Sequence, residues 1–98
     1  MPRSNIERIR ERVRLQDYDM TAHAMEEMAE DDLDILDIEH AIFNGKVVRT
    51  ESDDPRGKRY VVEGVAVDEH IPVGVVGRFT ETGRFLIITV YEITGREE

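Results

Sequence analysis

The sequence predicts an α+β fold, with two or three N-terminal helices packed on one face of a four-stranded antiparallel sheet. Apolar residues recur at helical spacing as far as Ile42, and after Gly45 the period becomes extended. The turns between the later segments are short, which forces antiparallel pairing, because a parallel crossover needs roughly a dozen residues. A chain of 98 residues suits a single domain spanning 1–98.

Ser4-Asn5-Ile6-Glu7 reads as a capping box, in which the Ser4 hydroxyl and the Glu7 carboxylate each satisfy a backbone N–H. Ile6, Ile9 and Val13 then give a narrow apolar stripe on a helix over 5–15. Arg8, Arg10, Arg12 and Arg14 fill its other faces. They are expected either on a solvated surface, with intrahelical pairs such as Glu7–Arg10 and Glu11–Arg14, or on a basic surface facing RNA or a partner. A second helix starts with Thr21 as N-cap and runs to Asp31, with Ala22, Met25, Met28 and Ala29 inward. The third has Asp34 as N-cap, Leu33 and Ile38 as a hydrophobic staple, and Gly45 as a C′ glycine. Ile35, Ile38, Ala41 and Ile42 form its buried stripe.

Four strands follow, over 46–51, 59–67, 71–80 and 84–93. Asp53-Asp54-Pro55-Arg56-Gly57, Asp68-Glu69 and Glu81-Thr82-Gly83 are the turns between them.

Charge is unevenly spread. Residues 1–15 carry a balance of +3, residues 16–54 one of −11, and residues 55–98 one of −1, for a net −9. A net negative chain repels phosphate backbones at long range, so any nucleic-acid contact needs a local basic face. The absence of cysteine excludes disulfides and thiolate metal sites. No glycine-rich phosphate loop, nucleophile elbow or zinc ligand set is present. The acidic stretch from Glu26 to Glu39 lacks the alternating ligands and central glycine of an EF-hand. Neither a metal nor a cofactor is therefore expected. The arginine-rich start has no apolar leader segment, and the run Phe85–Val90 is too short to span a bilayer, which points to a cytoplasmic protein with no membrane role.

Side chains alternate across a strand, so parity decides which residues share a face. A tight turn at Thr82-Gly83 sets Arg78 opposite Ile87 and Val76 opposite Thr89. Val75, Gly77 and Phe79 then face the helices with Leu86, Ile88 and Val90, leaving Arg78, Thr89 and Tyr91 on the open face. A bulge at Gly83 would shift this register. Arg59 and Tyr60 point in opposite directions, and parity favours Arg59 outward. Arginines beside hydroxyls on an open sheet suit a phosphate. The alternative is that Arg59 and Arg78 pair across the sheet with acids such as Glu63 and Glu92.

His23 lies one helical turn before Glu27, whose carboxylate can hold the imidazole. So held, His23 is suited to general acid–base work, or to tying the helix start to a strand. His40 and His70 have no partner at ligand spacing and read as incidental.

Thr21-Ala22-His23-Ala24, Leu33 with Asp37-Ile38-Glu39, Gly45, Tyr60-Val61-Val62 with Gly64, Val75-Val76 and Ile88-Thr89-Val90-Tyr91 together resemble a bacterial and archaeal family, domain of unknown function 4258. The resemblance spans a core of about 18–94, following the basic N-terminal helix in 1–16. Members of that family look like relatives of the RelE/ParE toxin superfamily, whose fold is helices on an antiparallel sheet. The resemblance implies the toxin-like component of a type II toxin–antitoxin pair, acting as a metal-independent mRNA endoribonuclease. The implied partners are RNA and an antitoxin of zinc-ribbon or helix-turn-helix type. His23 or Tyr91 would transfer protons and Arg59 and Arg78 would hold phosphate, with Thr89 and Tyr60 binding substrate. The competing reading is a non-catalytic module that binds a partner through its acidic helices or its edge strand.

Overall fold

The computed structural model describes residues 4–52 and 55–93. Its element order is α1 (Asn5–Arg14), β1 (Tyr18–Met20), α2 (Ala22–Glu30), α3 (Ile35–Asn44), β2 (Lys46–Glu51), β3 (Arg59–Val65), β4 (Pro72–Phe79) and β5 (Phe85–Glu92). The four expected strands are present within two residues of their expected ends. Asp53 and Asp54, at the head of the first expected turn, lie outside the described residues.

The sheet corrects the four-stranded antiparallel expectation. It has five strands in the order β1-β5-β4-β3-β2, and β1 runs parallel to β5, with Tyr18 opposite Phe85 and Met20 opposite Ile87. α2, α3 and the hairpins lie between β1 and β5 in the chain and supply the crossover that a parallel pair needs.

Each helix starts as its sequence specifies. Ser4 and Glu7 form the capping box of α1, Thr21 accepts from the Ala24 N–H at the start of α2, and Asp34 forms a second box with Asp37. The end of α3 differs from expectation. Gly45 is extended (φ −92°, ψ −167°) rather than left-handed. The carbonyls there are held instead by Arg10, whose guanidinium donates to Ile42 O at 3.2 Å and Gly45 O at 2.7 Å.

α1 is therefore part of the body of the protein, with Ile9 and Val13 buried in the core. Its arginines are occupied by that body rather than by the expected i,i+3 pairs. Arg12 meets Asp17 at 2.5 Å, while Arg8 and Arg14 lie over the rings of Phe79 and Phe43.

One core joins Ile9 and Val13 of α1, Ala24 of α2 and Ile38, Ala41 and Ile42 of α3 to one face of the sheet. The sheet contributes Tyr60, Val62, Val73, Val75, Phe85, Ile87 and Val90. α2 is turned from its expected orientation. Ala24 is buried while Ala22, Met25 and Ala29 are exposed, so the inward face is Ala24, Glu27, Met28 and Asp31. Two of those four are acids, and apolar periodicity alone misses such a face. Gly64 lets α3 approach β3: a Cβ there would strike Ala41 O and Asn44 Oδ1, and Asn44 pairs its amide with both backbone groups of Val65.

Candidate functional site

The helix-free face of the sheet is built by strand parity. Arg49, Arg59, Val61, Glu63, Gly74, Val76, Arg78, Leu86, Thr89 and Tyr91 share it. The expected trio of Arg78, Thr89 and Tyr91 thus lies on one face, by a different register. Thr89 is opposite Val76 as expected, but Arg78 is opposite Leu86, because the pairing shifts by one residue at a bulge containing Ile88. Ile87 consequently turns inward and Leu86 outward, reversing the expectation for both.

Two regions of this face carry chemistry. At one end, the register that sets Tyr60 opposite Gly77 places Arg59, one residue on, beside Arg78. Adjacent like charges are unfavourable without a counter-ion. Arg59 has one in Glu51 at 3.2 Å, rather than the expected Glu63 or Glu92. Among the described residues Arg78 meets no carboxylate. It lines an open groove of about 530 Å³ with Arg56, Pro55, Thr80, Glu81 and Thr82. The groove gathers two guanidinium groups and two hydroxyls, donor types that suit a phosphate, beside the single carboxylate of Glu81.

Tyr91 dominates the other end. Its ring lies over Gly74, where a Cβ would collide with Cζ, Cε2 and the hydroxyl. Burial raises the phenol pKa above its ordinary value, and the nearby Glu63 charge raises it further, while Arg49 opposes them. Tyr91 is thus a protonated hydroxyl beside a carboxylate and a guanidinium. Gly74 and Arg78 are four residues apart on β4, so roughly 13 Å of strand separates the two ends, with Thr89 between. The sequence reading missed Glu63 and Arg49 as neighbours of Tyr91. Glycine at 74 was the available signal, since it alone makes room for a ring to cross the strand.

Tyr60 and His23 are not brought to this face. Tyr60 is only 6% exposed, lies under the helices and packs edge-on against Phe79 at 5.8 Å. The His23 side chain is 64% exposed on α2, with Nε2 at 3.1 Å from Glu27 Oε2. Glu27 in turn accepts the Val90 N–H at 3.1 Å, so Glu27 fastens α2 to β5 while the His23 ring stays exposed on the helix. Among the described residues no group of three or more His, Asp or Glu converges as a metal ion would need, and no helix is long and apolar enough to cross a membrane.

A family model described as "Domain of unknown function (DUF4258)" matches residues 20–92. The chain belongs to this family. All the open-face residues named above fall inside the DUF4258 match, whereas α1 precedes it. Neither the curated proteins nor the solved structures give a match. The Thr21-to-Ala24 segment of this DUF4258 chain has a clear structural use. Thr21 caps α2 and donates its hydroxyl to Ile88 O at 3.1 Å, and Ala24 fills the core beneath.

Proposed function

We propose that this DUF4258 protein is the toxin-like half of a type II toxin–antitoxin pair and cleaves RNA on its open sheet face. The observation that carries the reading is Arg78, half-buried beside Arg59 and without a carboxylate partner among the described residues. A phosphodiester would supply the missing counter-charge.

In the proposed reaction, Glu63 takes the proton of a ribose 2′-hydroxyl, and that oxygen bonds to the adjacent phosphorus. The bond from phosphorus to the 5′-oxygen breaks, and Tyr91 donates its proton to the leaving oxygen. The phenol carries its proton at neutral pH already at its ordinary value of 10.0, above which burial holds it. Arg49 offsets charge on the phosphoryl oxygens, while Arg59 and Arg78 hold a neighbouring phosphate. The product is a 2′,3′-cyclic phosphate, and DNA is not a substrate because it lacks the nucleophile.

A second reading, a partner-binding module, draws on α3. Leu36 is 60% exposed and Phe43 38%, on one helical face and among acidic residues that suit a basic partner such as an antitoxin. The edge strand β2 suits a partner less well, because a bulge at Val48 interrupts its pairing.

Expression of the protein alone tests the two. Growth arrest that Arg78→Ala relieves, with RNA cleavage persisting in a chelator, supports the nuclease. Harmless expression, no cleavage and a co-purifying partner would leave the binding module.

A further inference from the structure

The β4–β5 turn is flanked by a second groove, of about 330 Å³, lined by Arg8, Glu11, Arg12, Phe79, Thr80, Glu81 and Gly83. Thr80 and Glu81 also line the Arg78 groove, so the two hollows meet across the turn. They differ in charge. The first sets Arg56 and Arg78 against the single carboxylate of Glu81, whereas in the second Glu11 and Glu81 balance Arg8 and Arg12, so a phosphate is favoured less there.

Arg8 decides what the second groove can take. Its Cζ lies 4.3 Å from the Phe79 ring centroid, so the guanidinium is held against an aromatic ring. Its other bond is to Asn5 Oδ1 at 3.2 Å, and among the described residues no carboxylate neutralises it. Arg8 is exposed, which leaves the outward side of the guanidinium open to a second flat group. Arginine planes stack nucleobases in this way. Arg12, fixed by Asp17, offers further donors at the groove wall.

We propose that this groove is a base-binding subsite for single-stranded RNA, in which an unpaired base stacks on the Arg8 guanidinium while a neighbouring phosphate occupies the Arg78 groove. The subsite rests on the reading of the open face as an RNA surface. It extends that reading beyond the family-matched residues, because Arg8 and Arg12 belong to α1, which precedes residue 20.

The test is fluorescence anisotropy of the full chain with a labelled dinucleotide and a labelled hexanucleotide of uncleavable 2′-O-methyl RNA. The hexanucleotide should bind more tightly than the dinucleotide. Arg8→Ala and Arg8→Lys should both weaken the hexanucleotide by roughly five-fold or more, because lysine keeps the charge but not the plane. Full retention by Arg8→Lys would overturn the stacked base. Hexanucleotide binding unaffected by either variant but lost in Arg78→Ala would overturn the subsite and leave the RNA surface standing. Failure of both RNAs to bind the unaltered protein would overturn the RNA surface, and the subsite with it.

Discussion

Glu27 accepts the backbone N–H of Val90 at 3.1 Å, joining a helix near the start of the chain to a strand near its end. The same helix supplies Asp31, which accepts the Glu92 N–H at 2.9 Å, and its cap Thr21 donates to Ile88 O at 3.1 Å. β1 pairs with β5 only as far as Ile87, so these three side chains take over the edge where the strand stops. An exposed edge is a template for unwanted pairing, and here α2 seals it.

Glu27→Ala should therefore destabilise the protein by about 1–3 kcal/mol, since it leaves a part-buried N–H without an acceptor. Glu27→Gln retains a carbonyl oxygen and should lose less. His23→Ala should cost little, because that side chain is mostly exposed. Thermal denaturation of the three variants checks the order. A His23→Ala loss matching that of Glu27→Ala would show that the imidazole, not the carboxylate, fastens the helix.

Gly74→Ala should destabilise by about 1–3 kcal/mol, as overpacking does, because the new methyl meets the Tyr91 ring. Tyr91→Ala removes the obstacle, so the cost of Gly74→Ala should fall sharply in that background. A double-mutant cycle in urea measures the coupling. Additive costs would mean that the ring does not lie over Gly74 in solution.

Much of this was legible in the sequence. The ends of β2 to β5 follow from alternation and turn chemistry, and the caps of α1, α2 and α3 from Ser4, Thr21 and Asp34. β1 was not legible, because three residues are too few to show a period and their partner Phe85 lies 67 positions downstream of Tyr18. The bulge at Ile88 was also hidden, since no glycine marks it. Arg78 still reached the expected face because its alternation is counted along β4, on which the bulge does not act. Tyr91 did so because its pairing below the bulge keeps the expected register. Of the two readings of His23, the geometry matches the one that ties the helix start to a strand, and the i,i+4 spacing reveals the Glu27 contact but not that Glu27 also accepts from Val90.

The Tyr91 phenol should titrate above its ordinary value of 10.0, through burial first and the Glu63 charge second. Folding thus favours the protonated phenol. The stability this contributes is fully present below about pH 10 and is lost as the pH rises through the elevated folded value. A difference titration of phenolate absorbance between the unaltered protein and Tyr91→Phe isolates this group. Glu63→Gln should lower the midpoint and Arg49→Ala should raise it. A midpoint indifferent to Glu63→Gln would remove the carboxylate from the phenol's surroundings and the proposed proton pair with it.

Arg10 offers the sharpest test of α1 as part of the body of the protein. Its guanidinium reaches two carbonyls at the end of α3, at Ile42 and Gly45, where no left-handed glycine closes the helix. Arg10→Ala should cost about 1–3 kcal/mol, the range for hydrogen bonds from a charged donor together with the acceptors they leave unpaired. Arg10→Lys should recover only part, because a single ammonium does not reproduce a planar fork across two acceptors. Arg8→Ala, which removes an exposed contact, should lower the melting temperature less. Amide exchange separates mechanism from mere loss of charge: Arg10→Ala should speed exchange in the last turn of α3 and at the start of β2, while Arg8→Ala leaves both protected. Equal effects from the two substitutions would mean that α1 is attached by its buried Ile9 and Val13 alone, with the guanidinium contributing nothing to the α3 terminus.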